Sequence, residues 1–495
     1  MSLINISHLT FAYNGSYDNI FTDVSFQIDT DWKLGFCGRN GRGKTTFLKL
    51  LMGLYEYQGT ITASVRFEYF PYHVEDTAQN TLEILSTIAP EAQLWQIQKE
   101  LSLLAVTEEV LNRPFSTLSN GEQTKTLLAG LFLRENSFLL IDEPTNHLDM
   151  AARQIIARYL NSKSGFILVS HDRAFLDECI DHILSINKTN IEIQNGNFST
   201  WQHNKQLQDE FELKENERLK KDISRLEAAA RRTASWSDNA ERRKVGIDPN
   251  KVDNKFGYAP KQAAKAKKMM SRSKAIKERQ QGSIEEKSKL LRNIEEAEPL
   301  KLRPLTYFTN RLLSVENLSV AYDGREIFRD MTFTLEQGDR IALIGGNGCG
   351  KSSLLRLICG DEIPHSGRVD PGSRLIISYV PQETSFLTGD LDEYACQFNI
   401  DRTLLRTILR KLDFARVQFE KDMRDYSAGQ KKKVLLARSL CEQAHLYIWD
   451  EPLNYIDVLS RMQIEELILA YKPSLLFVEH DRVFCDNIAT KTVRF

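Results

Sequence analysis

GRNGRGKTT, Gly38 to Thr46, follows the apolar run KLGFC and leads into the apolar stretch FLKLLMGL. It fits G-x-x-x-x-G-K-[ST] through Gly38, Gly43, Lys44 and Thr45. Glycines let successive backbone N–H groups wrap a phosphate chain with no Cβ in the way. The helix that follows points its positive end at the same charge. Asn40, Gly41 and Thr46 belong to this loop and are expected to line the nucleotide. Lys44 is placed to neutralise β- and γ-phosphate oxygens, and the Thr45 hydroxyl to ligate Mg2+. A strand before and a helix after are the context such a loop requires, and they predict an α/β fold with a parallel sheet.

Downstream, LSNGEQ (Leu118 to Gln123) opens the helical run TKTLLAGLFL. Nineteen residues after Gln123, the apolar FLLIDEPTNHLD presents Asp142 and Glu143. Asp142 is expected to hold Mg2+, directly or through water, and Glu143 to polarise an attacking water. FILVSHD then ends in His171, expected at the γ-phosphate. Apolar runs that end in charged residues are what a buried parallel sheet gives when its site lies at the strand ends.

The order repeats. The second half carries AYDG with Tyr322, GGNGCGKSS (Gly345 to Ser353), YVPQ with Gln382, YSAGQ, LYIWDEPLNYID with Asp450 and Glu451, and FVEHD with His480. Lys44 and Lys351, Ser119 and Ser427, Asp142 and Asp450, and His171 and His480 stand a near-constant 307–309 residues apart. A duplication at this period makes the joint reading far stronger than any single match. Gly345, Asn347, Gly348, Gly350, Lys351, Ser352 and Ser353 form the second phosphate loop.

Taken in this order, the motifs resemble the ABC-type ATPase domain, in two copies. That resemblance implies that Tyr13 and Tyr322 stack on adenine and that Gln382 joins Thr45, Asp142, Ser352 and Asp450 around Mg2+. It implies Glu143, Glu451, His171 and His480 as catalytic residues. It also implies that each ATP is sandwiched between one module's phosphate loop and the other's signature residues, Ser119, Gly121 and Glu122 or Ser427, Gly429 and Gln430. Departures from the pattern cluster. Tyr72 stands where the second module has Gln382, the second signature begins at Tyr426 and has Ala428, and its following loop reads LNYID against TNHLD. All of these fall on the composite site that contains Lys44. One well-equipped site and one altered but still furnished site are therefore expected.

Between the modules lies a charged segment, 204–303. Residues 231–280 hold 15 Lys/Arg against 5 Asp/Glu in a chain whose net charge is −2. Basic charge concentrated in an acidic protein marks contact with a polyanion. Leu219, Ile223 and Leu226, then Met269, Ile276, Ile284, Leu291 and Ile294, recur at helical spacing. Gly246 and Pro260 punctuate an antiparallel helical hairpin whose arms would each run roughly 60 Å. Two modules joined by such a hairpin resemble the ABC-F translation factors, and most of all the antibiotic-resistance group of the Lsa type. The resemblance implies a monomer bound at the E site of the 70S ribosome, with no obligate protein subunit. Its linker would act on P-site tRNA and the peptidyl-transferase centre of the large-subunit rRNA, against lincosamides, pleuromutilins and streptogramin A.

Under this reading Arg242, Arg243, Lys261, Lys265, Lys267, Lys268 and Arg272 meet RNA phosphates, and Lys244, Phe256 and Tyr258 form the tip. The expected domains are 1–203, 204–304 with a tip loop near 244–260, and 305–495. Lys44 to Ser119 and Lys351 to Ser427 are of nearly equal length, which leaves no room for the extra arm of housekeeping members. A housekeeping ABC-F factor that rescues stalled ribosomes remains the principal rival, followed by a transporter's ATPase subunit and a DNA-repair ABC protein.

Composition narrows the classes. Seven scattered cysteines with no CxxC argue for a reducing compartment and against structural zinc. MSLINISHLT has no basic region followed by an apolar run, and no run of about 18 apolar residues occurs. A cytoplasmic protein without membrane contact is expected.

Overall fold

The computed structural model describes residues 2–13, 19–146, 148–187, 190–245, 300–322 and 325–495. Two compact units are present, one of Met1–Trp201 with Ala297–Phe495, the other Gln202–Glu296.

Each half of the first unit builds a small antiparallel sheet and a larger parallel one. In the first half the parallel sheet orders Arg66–Phe70, Ser137–Asp142, Phe166–Val169, Lys33–Cys37 and His182–Asn187, with Asn190–Asn195 added antiparallel at the edge. The second half repeats the order with Ile377–Val380, Leu446–Asp450, Leu475–Val478, Arg340–Ile344 and Lys491–Arg494. Three-stranded antiparallel sheets, built on Leu3–Phe11 and on Arg311–Tyr322, accompany them. The apolar runs read from the sequence are the central strands: Phe166–Val169 and Leu475–Val478 are buried at every residue. Strands covered on both faces need this continuous apolar pattern rather than alternation. Their order is not sequential, so the carboxyl ends of neighbouring strands bring distant residues together.

The segment after the first module enters its core before leaving it. Phe198 and Trp201 are buried there and open the helix Phe198–Val245, 48 residues long and about 72 Å at 1.5 Å per residue. It covers the stretch expected as the first arm of the hairpin as far as the described residues reach. The expected second arm and the tip residues Phe256 and Tyr258, with Lys261, Lys265, Lys267, Lys268 and Arg272, lie outside the described residues, as does any reading of the Arg242, Arg243 and Lys244 side chains. Leu300 and Leu302 are buried in the core of the second module. Among the described residues no helix is long and apolar enough to cross a membrane. The seven cysteines are free thiols.

Candidate functional site: two composite nucleotide sites

Each phosphate loop folds as its glycines dictate. Gly43 and Gly350 both stand at φ 97° and start the helices Lys44–Leu51 and Lys351–Ile358. A Cβ at Gly43 would meet Ile20 at 2.5 Å, so size and backbone angle both demand glycine there. Lys44 Nζ curls back to donate to the carbonyls of Gly38 (2.7 Å) and Arg39 (3.2 Å) and reaches Asn40 Oδ1 at 3.4 Å. Lys351 Nζ does the same on Gly345 (2.9 Å) and Gly346 (2.8 Å). Both ammonium groups are thus buried within their own loops, and burial lowers the Lys44 pKa.

The strand ends deliver the acidic residues. Thr45 Oγ1 donates to Asp142 Oδ2 at 2.8 Å, and the Ser352 hydroxyl bonds Asp450. Asp450 Oδ1 and Glu143 Oε1 are buried without an aligned hydrogen-bond partner. Burial raises Asp450 to about 6, against the opposing hydrogen bond from Ser352. Glu143 and Glu451 sit in left-handed backbone at φ 52° and 47°, each pinned by its N–H to a neighbouring strand, on Val169 O (2.9 Å) and Val478 O (3.0 Å). Non-glycine residues held in that region are a strain that surrounding structure must enforce, and such residues cluster at functional sites.

The two glutamates live in different surroundings. Glu451 receives Gln382 Nε2 at 3.0 Å and Asn454 Nδ2 at 2.6 Å, and His480 Nε2 lies 3.3 Å away. Burial pushes its carboxyl up, but the His480 contact, then Gln382 and Lys432, outweigh this and bring it down to about 2. His171 Nε2 approaches Glu143 Oε1 to 3.2 Å without making an aligned hydrogen bond. Burial, reinforced by neighbouring Asp142, raises Glu143 to about 8. Burial and the positive charge of Lys44 also hold His171 well below its usual value.

The halves meet at these sites. Asn40 Nδ2, in the first phosphate loop, donates to Tyr455 O at 2.8 Å, in the LNYID loop of the second module. A Cβ on Gly429, in the second signature, would lie 2.6 Å from that same carbonyl. Phosphate loop, signature and the loop after the acidic strand therefore converge across the modules, and of the departures noted in the sequence the LNYID loop stands at the site of Lys44 through Tyr455. Reciprocally, a Cβ on Gly346 would contact Asp149 at 3.8 Å, and one on Gly121 would contact Leu148 at 3.6 Å.

Tyr13 and Tyr322 stand beside the loops, bonded through their hydroxyls to Thr46 (2.7 Å) and Ser353 (3.1 Å), with 43% and 40% of their surface exposed for a stacking partner. Glu122 and Gln430 close capping boxes with Ser119 and Ser427. Gln382, expected among the cation ligands, engages Glu451, and Tyr72 packs partly buried against the first core. Sequence reading missed Tyr69, whose hydroxyl donates to Asp142 Oδ2 at 3.0 Å; its place three residues before Tyr72 was the available signal. It also missed Asn454, Arg39 and Arg173.

Duplicated parallel α/β modules whose phosphate loops and signatures meet across a shared interface define a twin-site P-loop ATPase. The family model described as "ABC transporter" matches residues 21–146 and again 328–454, and the chain belongs to that family, in its F branch, as an ATP-hydrolysing member with two ATP-binding domains. It is 30% identical to the ribosome protection protein VmlR of Bacillus subtilis (strain 168), an alignment covering 98% of this chain and 85% of the relative. It is 24% identical to ABC transporter F family member 2 of Arabidopsis thaliana, over 99% of this chain and 76% of that one. Among solved structures, the archaeal ribosome recycling factor aABCE1, in complex with the archaeal ribosomal stalk protein aP1, shares the fold. That match has a TM-score of 0.61 and 18% identity, covering 98% of this chain and 87% of that chain.

Proposed function

We propose that this chain is an ATP-driven ribosomal protection protein. Its modules, bounded near 1–203 and 305–495, close on two ATP molecules, and its basic linker acts on P-site tRNA and the peptidyl-transferase centre. The observation that carries the reading is the pairing of two mutually completed ATP sites with a segment, 231–280, holding 15 Lys/Arg against 5 Asp/Glu. A clamp of this kind needs something to grip, and the concentrated charge fits RNA phosphates. VmlR, similar along nearly the whole chain, bears the name of a ribosome protection protein. The Lsa-type spectrum of lincosamides, pleuromutilins and streptogramin A rests on the sequence resemblance alone.

In this mechanism the loop N–H groups, Lys44 and Lys351 bind the phosphates, and Tyr13 and Tyr322 cover the adenines. Thr45 with Asp142, and Ser352 with Asp450, offer the hard oxygen donors that Mg2+ prefers. Among the described residues no three His, Cys, Asp or Glu side chains group to hold a metal. Bound there, Mg2+ would supply charge neutralisation. Glu143 and Glu451 take the proton of the attacking water, and His171 and His480 orient those carboxylates. Closure assembles each site from both modules, and hydrolysis lets the modules part.

Expression in a susceptible host tests the reading. Raised survival under a peptidyl-transferase inhibitor, lost in the Glu143→Gln/Glu451→Gln double variant, supports protection. Unchanged susceptibility to every such drug, with ribosome binding retained, favours the housekeeping factor.

A further inference from the structure

The two composite sites differ in what ties the modules across them. At the site of Lys44, Arg173 Nη2 donates to Glu465 Oε2 at 2.6 Å, and Arg173 Nε lies 3.9 Å from Asp481 Oδ2. Arg173 belongs to the first module, Glu465 and Asp481 to the second, and the Arg173 and Glu465 side chains are only 7% and 10% exposed. Asn487 holds the other oxygen of Glu465 in place. In the phosphate loop of the same site, Arg39 Nη1 stands 3.8 Å from Asp413 Oδ1 of the opposite module.

The internal duplication supplies the control. Arg173 is the first residue of a helix capped by Asp172; its counterpart Arg482 opens the helix capped by Asp481. Glu465 is the eighth residue of Val458–Tyr471, and the eighth residue of Met150–Asn161 is Ala157. Arg39 corresponds to Gly346. Asp413 corresponds to Ala105, both in left-handed backbone just after a helix (φ 59° and 51°). At the site of Lys351, therefore, neither cross-module ion pair has a counterpart. Arg482 instead reaches Asp486 of its own helix at 3.6 Å, and it lines a small cavity with Ala157. Among the described residues, a cross-module polar contact there is Arg153 Nη1 to His480 O, at 3.3 Å.

We propose that Arg173 with Glu465, and Arg39 with Asp413, are positioning pairs that keep the Lys44 site assembled through the cycle, so that the modules part at the Lys351 site. Matched charges fix the register of an interface, and at the buried Arg173–Glu465 pair removing one member strands the other without water. Ala157 and Arg482 separate with no such penalty. The altered site thereby becomes the hinge side and holds its nucleotide, while the well-equipped site opens and turns over. This rests on the two-site ATPase reading and not on the ribosome.

The test uses the full chain without ribosomes. The protein is loaded with radiolabelled ATP and Mg2+, passed rapidly through a desalting column, and scored for retained nucleotide and its release rate. One slowly released nucleotide per chain is expected, lost in Lys44→Ala and kept in Lys351→Ala. Glu465→Arg should release it about tenfold faster, as affinity changes of this kind fall mostly on the off-rate. The exchanged pair Arg173→Glu/Glu465→Arg should restore retention. Asp413→Asn, a mild change at a partly exposed position, should speed release about threefold. Retention that depends on Lys351 rather than Lys44, no retention in the parent, or release unchanged in both Glu465→Arg and Asp413→Asn overturns the proposal. Since no ribosome is present, these outcomes are independent of the ribosome reading.

Discussion

Glu143→Gln and Glu451→Gln each leave one site with a carboxylate able to take a proton, and the two survivors should titrate differently. Burial and Asp142 raise Glu143 to about 8, whereas His480, Gln382 and Lys432 overcome burial and bring Glu451 down to about 2. A general base works only when ionised, so a raised pKa means activity that grows with pH. For a group at about 8, the ionised fraction climbs from about 1% at pH 6 to about 50% at pH 8, roughly fiftyfold. A group at about 2 is ionised throughout that range. Single-turnover hydrolysis by Glu451→Gln, with Glu143 alone at work, should therefore rise about fiftyfold from pH 6 to 8. Glu143→Gln should be flat over the same range, and near pH 7 Glu451→Gln should lose more turnover than Glu143→Gln. The assay is rapid-quench hydrolysis with enzyme in excess over ATP, at constant ionic strength. Superimposable pH profiles, or equal losses at pH 7, would show that the two carboxylates do not differ in this way.

Three other outcomes are expected. Lys433 Nζ lies 3.3 Å from Asp457 in a pair with 4% and 0% exposure, so Lys433→Met strands a buried carboxylate and should cost about 3–5 kcal/mol in denaturant unfolding. Although burial opposes it, Lys433 helps hold Asp457 well below the ordinary carboxyl value, so its stabilisation is present above about pH 4 and fades in acid, and the difference between parent and variant should shrink there. Neutralising Lys265, Lys267 and Lys268 should weaken ribosome binding and reduce the slope of log affinity against log salt by about 2 to 3, since up to three fewer phosphates are neutralised; an unchanged slope returns the linker to a spacer role. Phe256→Ala should leave ATP turnover and sedimentation with ribosomes nearly intact yet lower the drug concentration the host survives, because loss of one base stack is worth only about 1–3 kcal/mol; full protection by the variant shows that the ring merely packs.

The parts of the site that rest on local pattern were readable in the sequence. The loops at Gly38 and Gly345, the apolar strands that end in Asp142 and Asp450, and the helical run through Leu219, Ile223 and Leu226 each follow from neighbouring residues. The capping boxes Ser119–Glu122 and Ser427–Gln430 carry an S-x-x-E/Q signature too, although nucleotide contact was the expectation for those residues. Contacts between modules were not readable. Nothing in periodicity or spacing links Arg39 to Asp413 or Arg173 to Glu465, because the partners are hundreds of residues apart and each is an unremarkable charge on its own helix or loop. The contrast between Glu143 and Glu451 was hidden for a related reason. Both sit in IDEP-like or WDEP-like runs, and their difference comes from what the fold packs around them, Gln382 and Asn454 on one and no aligned donor on the other. The substitution of Tyr72 for a Gln pointed to the altered site without saying which carboxylate would feel it.

In the proposed cycle ATP closes this chain on a ribosome and hydrolysis releases it. Glu143→Gln/Glu451→Gln keeps the shape and most of the hydrogen bonding of both sites while removing the carboxylates that activate water. The most direct measurement is co-sedimentation of this double variant with 70S ribosomes through a sucrose cushion, with ATP and without nucleotide. Near-stoichiometric pelleting is expected in ATP, far above the hydrolysing parent, with loss of pelleting when ATP is omitted. Pelleting equal to that of the parent in ATP would contradict the proposed cycle.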